Sequence, residues 1–386
     1  MPNHPKKQSS SPVSPSSSTA PHPAEKKDPN LHDHSSTESL VNSLYEPYIF
    51  PDVKWNTSLR SLPYHMFRFV CCLIYIFLTA ISANVALIIS FPVYLISPMY
   101  GAKMASFGIG WSCWILWCLF IESNLQVEFY GDELGSFENS VCIANHVSSA
   151  DFILVLSMAL RGRMLGNVKY FAKSSLSHIP LVGWGMRMLG MIFLKRNWMR
   201  DQKTIQSTFK YLRENHIPVW IVSFLEGTRV TEDKMKQSIK FQVERGLPVT
   251  TQVMAPRVKG LISTLQGLPD LEYIYDFTFA YATGVFSCTS LLWQAHQEGS
   301  RMCVYVNKIR VKDLPLHDEE KLKEFIYDLY VKKDQILKAM KEDKDGKMRF
   351  PGKARIWPLD VQNWWTVPFE RSQKRNEMDM EAKKEQ

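Results

Sequence analysis

The chain has 386 residues, 45% of them hydrophobic and 12% aromatic, with a formal net charge of +8. That supports a sizeable core in one large domain or two ordinary ones, and the positive balance points to an acidic partner: a phosphate-bearing substrate, an anionic membrane or nucleic acid. The seven cysteines form no CxxC pair and four lie in two apolar segments, which excludes a disulfide or zinc framework and reads as small buried hydrophobes in a reducing compartment.

Residues 1–44 contain no aromatic side chain and are crowded with Ser, Pro, His and Lys. Such a segment buries too little apolar surface to fold, so residues 1–58 are expected to form a disordered tail, and its four His read as solvated, not as metal ligands. The opening is polar, without the pattern of a cleavable signal peptide. Residues 59–125 read as a membrane anchor. Residues 69–102 carry no charge, ample for one helix ending near Pro92, and a second uncharged run, 104–121, holds Trp111, Trp114 and Trp117. Either the two form a spanning hairpin, or the first is deep and the second lies shallow. Arg60 and Arg68 before the first helix favour a cytosolic N-terminus and a cytosolic remainder.

From 126 to 312, strand-like and helix-like stretches alternate. Runs at 141–144, 170–172, 191–194, 219–224, 252–255, 275–281 and 302–309 read as strands. Residues 151–160 and 203–215 read as helices, the second with Ile205, Phe209 and Leu212 at helical spacing and Asp201 as its cap. The alternation predicts an α/β fold, a sheet flanked by helices, with functional residues at strand ends. A C-terminal helix and extension (313–369) and a charged, disordered tail (370–386) follow.

The first strand of that series ends in Asn145-His146-Val147-Ser148-Ser149-Ala150-Asp151. Imidazole can take a proton from a hydroxyl, and a carboxylate on its other nitrogen fixes the tautomer. On one continuous helix, residues five apart diverge by about 140°. The two meet only if His146 lies in a turn and Asp151 in the first turn of the next helix. Ser148 to Asp151 fits an N-terminal capping box equally well. Three later strands end in cations: Gly190-Met191-Ile192-Phe193-Leu194-Lys195-Arg196, Ser223-Phe224-Leu225-Glu226-Gly227-Thr228-Arg229 and Val253-Met254-Ala255-Pro256-Arg257-Val258-Lys259-Gly260. Arginine grips phosphate bidentately and glycine lets backbone N–H groups approach an anion, so the set suggests an anion pocket beside a general base.

The order NHxxxxD, GxIFxxR, FxEGTR, APRxxG resembles the glycerolipid acyltransferases of the lysophosphatidate (1-acyl-sn-glycerol-3-phosphate) acyltransferase family, over about residues 140–309. Ile274-Tyr275-Asp276-Phe277-Thr278 and Lys333-Asp334 on a late helix also resemble the eukaryotic branch that includes lysocardiolipin and lysophosphatidylinositol acyltransferases. The resemblance implies a glycerol-3-phosphate acyltransferase-like sheet and a membrane-bound, acyl-CoA-dependent lysophospholipid O-acyltransferase. Its product would be phosphatidate, by transfer to the sn-2 hydroxyl of 1-acyl-sn-glycerol-3-phosphate, with lysophosphatidylinositol or lysocardiolipin as the alternative acceptor. By the same resemblance, His146 removes the acceptor proton and Asp151 holds the imidazole. Arg196, Glu226, Gly227, Thr228 and Arg229 position the acceptor, and Pro256 and Arg257 shape the acyl-CoA or acceptor pocket. No GxSxG elbow or other protein nucleophile is visible.

Acyl-CoA would be a co-substrate, with no cofactor or metal. The expected partners are the acceptor and the bilayer, with no required protein partner. Lys195, Arg196, Arg200, Lys203, Lys234, Lys236 and Lys240 would suit anionic head groups, each by about 1 kcal/mol. The endoplasmic reticulum membrane is the expected location, with lipid droplet or mitochondrial membrane as alternatives. A non-catalytic lipid-binding protein of the same fold is the reading from another class. A nucleic-acid binder finds no zinc motif, basic helix or RNA-recognition signature here.

Overall fold

A computed structural model describes residues 31–50, 52, 61–121, 125–179, 183–195, 198–293, 300–342 and 348–356. Helix α1 (Leu31–Leu44) comes first, then two long apolar helices, α2 (Leu62–Ile96) and α3 (Pro98–Ile121). Strands β1 (Leu125–Gly131) and β2 (Ser140–Ala144) lead into α4 (Asp151–Arg161). The alternation continues through β3 (Val168–Lys173), α5 (Gly183–Met188), β4 (Ile192–Leu194), α6 (Trp198–Glu214) and β5 (Trp220–Phe224). Then come α7 (Glu232–Glu244), α8 (Val258–Gly267), β6 (Tyr273–Ala280), α9 (Cys288–Trp293), β7 (Ser300–Arg310) and α10 (Glu319–Lys338). Short strands β8 (Lys341–Glu342), β9 (Met348–Arg349) and β10 (Arg355–Ile356) complete the described elements.

Eight strands form one sheet in the order β10-β1-β7-β6-β2-β5-β3-β4. The neighbours β6, β2, β5, β3 and β4 run parallel, while β7 is antiparallel to β6. Parallel strands are covered on both faces and need side chains that are apolar throughout. Strand β2 meets that demand with five buried residues, and it sits in the middle of the sheet. Ala144 at its end pairs with Phe224 of β5 and Phe277 of β6. The chain segments after β2 and β5 therefore leave the sheet at the same edge, where α/β folds gather their chemistry.

The apolar runs become a helical hairpin. Helix α2 continues past Pro92 to Ile96, and α3 starts at Pro98, earlier than the uncharged run implies. Close packing explains the pairing: a Cβ on Gly108 would lie 2.3 Å from the Ala86 Cβ, and Ser82 and Ser112 share a hydrogen bond of 3.0 Å. Both helices are long and apolar enough to cross a membrane. Phe67, Leu95 and Ile96 are 70%, 68% and 87% exposed, and an apolar face of this extent marks a membrane-associating surface. The hairpin is fixed to the rest of the protein by Trp117 Nε1–H donating to Ser157 Oγ (2.8 Å) and Trp184 Nε1–H donating to Asn84 Oδ1 (3.0 Å).

Three local readings differ from the structure. First, residues 31–50 are ordered: α1 packs on α7, Val41 joins Met235, Ile239 and Met254 in a small core, and Phe50 is buried. The segment has too few apolar groups to fold alone but enough to dock on a surface that already exists. Second, 252–255 is not a strand. Thr251 and Gln252 donate their backbone N–H groups to Asp334 Oδ1 (2.8 and 2.6 Å), so a side chain takes the place of a ladder partner. Third, Asp201 does not start α6, which begins at Trp198; its Oδ1 accepts the Lys195 N–H at 2.7 Å. Strand β1 and helices α7, α8 and α9 were not expected from the sequence.

Candidate active site

Asn145 extends the sheet by one side chain. Its Nδ2 donates to Phe279 O (3.0 Å) and its Oδ1 accepts from Phe279 N (2.8 Å), so the amide stands in for a strand residue and fixes where the turn begins. His146 is then gripped on both backbone groups: its N–H donates to Glu226 Oε2 (3.1 Å) and its carbonyl accepts from Val230 N (2.9 Å). The imidazole stacks on Phe224, with ring centres 4.3 Å apart. The loop after β5 thus holds the histidine that follows β2.

Asp151 opens α4 and faces back across the turn, its Oδ2 accepting from His146 Nδ1 at 2.8 Å. The same oxygen accepts the N–H groups of Val147 (2.7 Å) and Ser148 (3.0 Å), while Oδ1 accepts the Tyr281 hydroxyl at 2.5 Å. Asp151 is 1% exposed and the His146 side chain 24%. The expected capping box does not form, since α4 begins at Asp151 with Ala150 as its N-cap and no side-chain cap, so this carboxylate orders the turn and the imidazole instead. With Nδ1–H given to Asp151, Nε2 is the nitrogen left for an incoming proton.

Glu226 is buried beneath this turn. Burial pushes its carboxyl up to about 8, against the pull of the His146 and Met254 N–H groups and the Lys333 ammonium. Gly227 turns the chain at φ +70°, and a Cβ there would lie 2.9 Å from the Arg257 guanidinium, which occupies the space a side chain would need. Arg257 N–H donates to Leu225 O at 2.8 Å, so the loops after β5 and before α8 are tied together. Lys234 Nζ donates to Thr228 Oγ1 (2.7 Å) and Arg229 O (3.2 Å), shaping the rest of that loop.

The structure therefore brings His146, Asp151, Glu226, Gly227 and Arg257 together, with Thr228 and Arg229 on the adjoining loop and Pro256 buried beside Arg257. The Arg229 and Arg257 side chains are exposed, as a phosphate-binding role requires. Arg196 lies outside the described residues. The basic stripe on α7 is weaker than its sequence implies: Lys236 and Lys240 pair with Glu232 (2.7 Å) and Glu244 (3.9 Å). No group of three or more His, Cys, Asp or Glu that could hold a metal occurs among the described residues.

The residues of the late helix sit behind the site, not in it. Lys333 Nζ meets Asp276 Oδ1 and Phe277 O, both at 2.5 Å, and is fully buried. Asp334 holds Thr251 and Gln252, two residues before the Met254 N–H that reaches Glu226. Asp276 and Lys333 are thus two halves of one internal ion pair locking α10 to β6. Tyr281 was missed as a site residue. Its one sequence signal is its place at the end of a buried strand beside the one that leads to His146.

Residues 126–281 match the family model described as Acyltransferase, and residues 296–366 match Acyltransferase C-terminus. The chain belongs to the acyltransferase family. Its relatives include a probable 1-acyl-sn-glycerol-3-phosphate acyltransferase 5 of Arabidopsis thaliana, 33% identical over 63% of this chain and 64% of that protein. The 1-acyl-sn-glycerol-3-phosphate acyltransferase gamma of Homo sapiens is 31% identical over 67% of this chain and 66% of its own, and the delta enzyme of Mus musculus is 32% identical over 51% and 52%. The chain thus spans just under two thirds of the plant and human relatives' length. No solved structure matches it.

Proposed function

We propose that the protein is a membrane-bound, acyl-CoA-dependent lysophospholipid O-acyltransferase whose acceptor is 1-acyl-sn-glycerol-3-phosphate and whose product is phosphatidate. The observation that carries this reading is the His146–Asp151 pair: a part-exposed imidazole, oriented by a buried carboxylate at 2.8 Å, with no protein nucleophile presented to it among the described residues. Among the described residues, the serine hydroxyl and cysteine thiols nearest the turn are engaged or inaccessible. Ser148 Oγ donates to Phe286 O at 2.6 Å, Cys142 is fully buried, and burial pushes the Cys288 thiol up to about 12. A base without its own nucleophile suits a reaction in which the substrate supplies the hydroxyl.

In the proposed step, His146 Nε2 takes the proton of the sn-2 hydroxyl as that oxygen bonds to the thioester carbonyl carbon. The tetrahedral intermediate collapses by breaking the C–S bond, and the proton passes from His146 to the CoA sulfur, leaving an ester and a free thiol. Asp151 keeps Nδ1 protonated and stabilises the imidazolium between the two transfers. Glu226 sets the position of the base by accepting its backbone N–H. Arg229 and Arg257, with Arg196, would neutralise the acceptor phosphate, and Gly227 lets Arg257 approach the loop closely. Thr228 and Pro256 shape the walls of this pocket.

The hairpin of α2 and α3 gives the reaction its place. Both substrates carry long acyl chains, and a catalytic domain docked on apolar helices takes them from the leaflet without enclosing them fully. The relatives named for 1-acyl-sn-glycerol-3-phosphate support the acceptor. Asp276 and Lys333, the features shared with the remodelling branch, are internal and do not argue for a larger head group. The reading places the protein in the endoplasmic reticulum membrane with its catalytic domain cytosolic. To test the function, isolated membranes carrying wild type or His146→Ala receive labelled acyl-CoA and a panel of lysophospholipids. Incorporation into phosphatidate that is lost in the variant is expected; equal incorporation by both across every acceptor would defeat the reading.

A further inference from the structure

Residues 45–50, which follow α1, form a strap over the back of the candidate site, and they are tied down on both sides of Tyr48. Glu46 Oε2 accepts the Thr251 hydroxyl at 2.6 Å and pairs with Lys338 at 3.1 Å. Pro47 O accepts from Gln252 Nε2 (3.2 Å) and Ile49 N donates to Gln252 Oε1 (2.8 Å). Phe50 closes the strap by entering the core, 3% exposed. These ties leave the Tyr48 ring little choice of direction.

The Tyr48 hydroxyl oxygen is buried and has no hydrogen-bond partner among the described residues. Leaving a buried hydroxyl unpaired destabilises the fold, a cost that phenylalanine at the same place would not carry. Such a group needs an explanation, and a ligand oxygen that arrives later is one. Its surroundings say which kind. Burial first, then the negative charge of Asp151 and Glu226, pushes the phenol well above its usual range, so it stays protonated and is available as a donor.

A cavity of about 260 Å³ lies under the strap, lined by Tyr48, Phe50, Val147, Val230 and Thr251 among others. Val147 follows His146 in the chain, and Val230 N donates to His146 O, so whatever enters lies against the backbone of the base. The space is below the roughly 300–1,000 Å³ that encloses a whole drug-sized ligand, so it takes part of a larger one. Glu46, Asp52 and Glu232 also line it, which makes it hostile to phosphate; the exposed guanidinium groups of Arg229 and Arg257 offer the anionic end a different place. What remains is an uncharged oxygen near the reacting hydroxyl.

We propose that Tyr48 is a substrate-binding residue whose hydroxyl donates a hydrogen bond to an uncharged glycerol oxygen of the lysophospholipid entering the cavity between the strap and the His146 turn. The proposal rests on the acyltransferase reading above. It makes the N-terminal segment part of the acceptor site, although that segment was expected to be a free tail.

The test is Tyr48→Phe in the full chain, purified in detergent micelles and compared with wild type in two readouts. The first is Tm with and without added 1-acyl-sn-glycerol-3-phosphate; the second is KM for that acceptor and for acyl-CoA. Removing an unpaired hydroxyl should leave the ligand-free Tm unchanged or raised. The acceptor KM should rise about tenfold, the worth of one lost hydrogen bond, with KM for acyl-CoA unmoved. The stabilisation of Tm by the acceptor should need correspondingly more ligand. An unchanged acceptor KM overturns the proposal, and so does a lowered ligand-free Tm, which would give the hydroxyl a structural partner. Wild type that turns over no lysophospholipid defeats the reaction instead; the Tm titration then still decides whether Tyr48 binds one.

Discussion

The His146 turn and the N-terminal strap meet at the same cavity and are built in opposite ways. The turn is local: a histidine and an aspartate five residues apart, with the aspartate also taking the N–H groups of Val147 and Ser148 between them. The strap is held by residues some two hundred positions away, Thr251 and Gln252, which are held in turn by Asp334. The difference separates two jobs. On the proposed mechanism the turn carries the reacting groups, and the long-range web decides how they are buried and what stands beside them. Damage to the first should cost rate, and damage to the second should cost stability and positioning.

The largest effect should come from the turn. Asp151→Asn with its oxygen in the Oδ2 place still accepts from His146 Nδ1 and the Val147 and Ser148 N–H groups, but it sets an NH₂ against the Tyr281 hydroxyl and removes the negative charge that stabilises the imidazolium. Turnover should fall about a thousandfold to ten-thousandfold with the acceptor KM and Tm largely kept; a parallel collapse of Tm would show that the turn and the web are not separable. Lys333→Met attacks the web instead, leaving Asp276 buried without its cation. Destabilisation of about 3–5 kcal/mol is expected in chemical denaturation, with much of it recovered by adding Asp276→Asn. A variant as stable as wild type would remove α10 from the explanation.

The smallest effect tests the joint between them. Glu226 holds a proton in the folded state up to about 8 and loses it near 4.5 when unfolded. The folded state therefore binds more protons across that window. The contribution to stability is complete below the ordinary glutamate range and is lost as pH rises through about 8. Glu226→Gln mimics the protonated acid and still accepts the His146 N–H. It should match wild type near pH 4, below the ordinary glutamate range, and become progressively more stable than wild type from there to about pH 8, measured as denaturation midpoints. An equally steep decline in the variant would assign the pH dependence to another group.

The contrast also explains what could be read in the sequence. Strands β2, β5, β6 and β7, helices α4 and α6, and the apolar hairpin follow from runs and periods within a few residues of one another. So does the pairing of His146 with Asp151. The strap did not, because Val41 and Phe50 gain their burial only from surfaces supplied by α7 and the sheet. Its one visible cue is that Tyr45, Tyr48 and Phe50 are the first aromatic residues of the chain. Residues 252–255 looked like a strand because they are apolar, yet their neighbours' hydrogen bonds go to the Asp334 side chain, more than eighty positions ahead. Tyr281 and Asn145 belong to the same class, their roles being fixed by strands that neighbour each other only in the folded sheet.

The most direct measurement of the central claim, that His146 activates a hydroxyl of the substrate and not of the protein, is rapid quenching of the purified enzyme with labelled acyl-CoA. Without acceptor, no label should become covalently attached to the chain. With 1-acyl-sn-glycerol-3-phosphate, label should pass into phosphatidate without a burst and without a labelled protein species. Acyl-protein that forms before the ester and decays into it would contradict this mechanism and require a nucleophile on the chain.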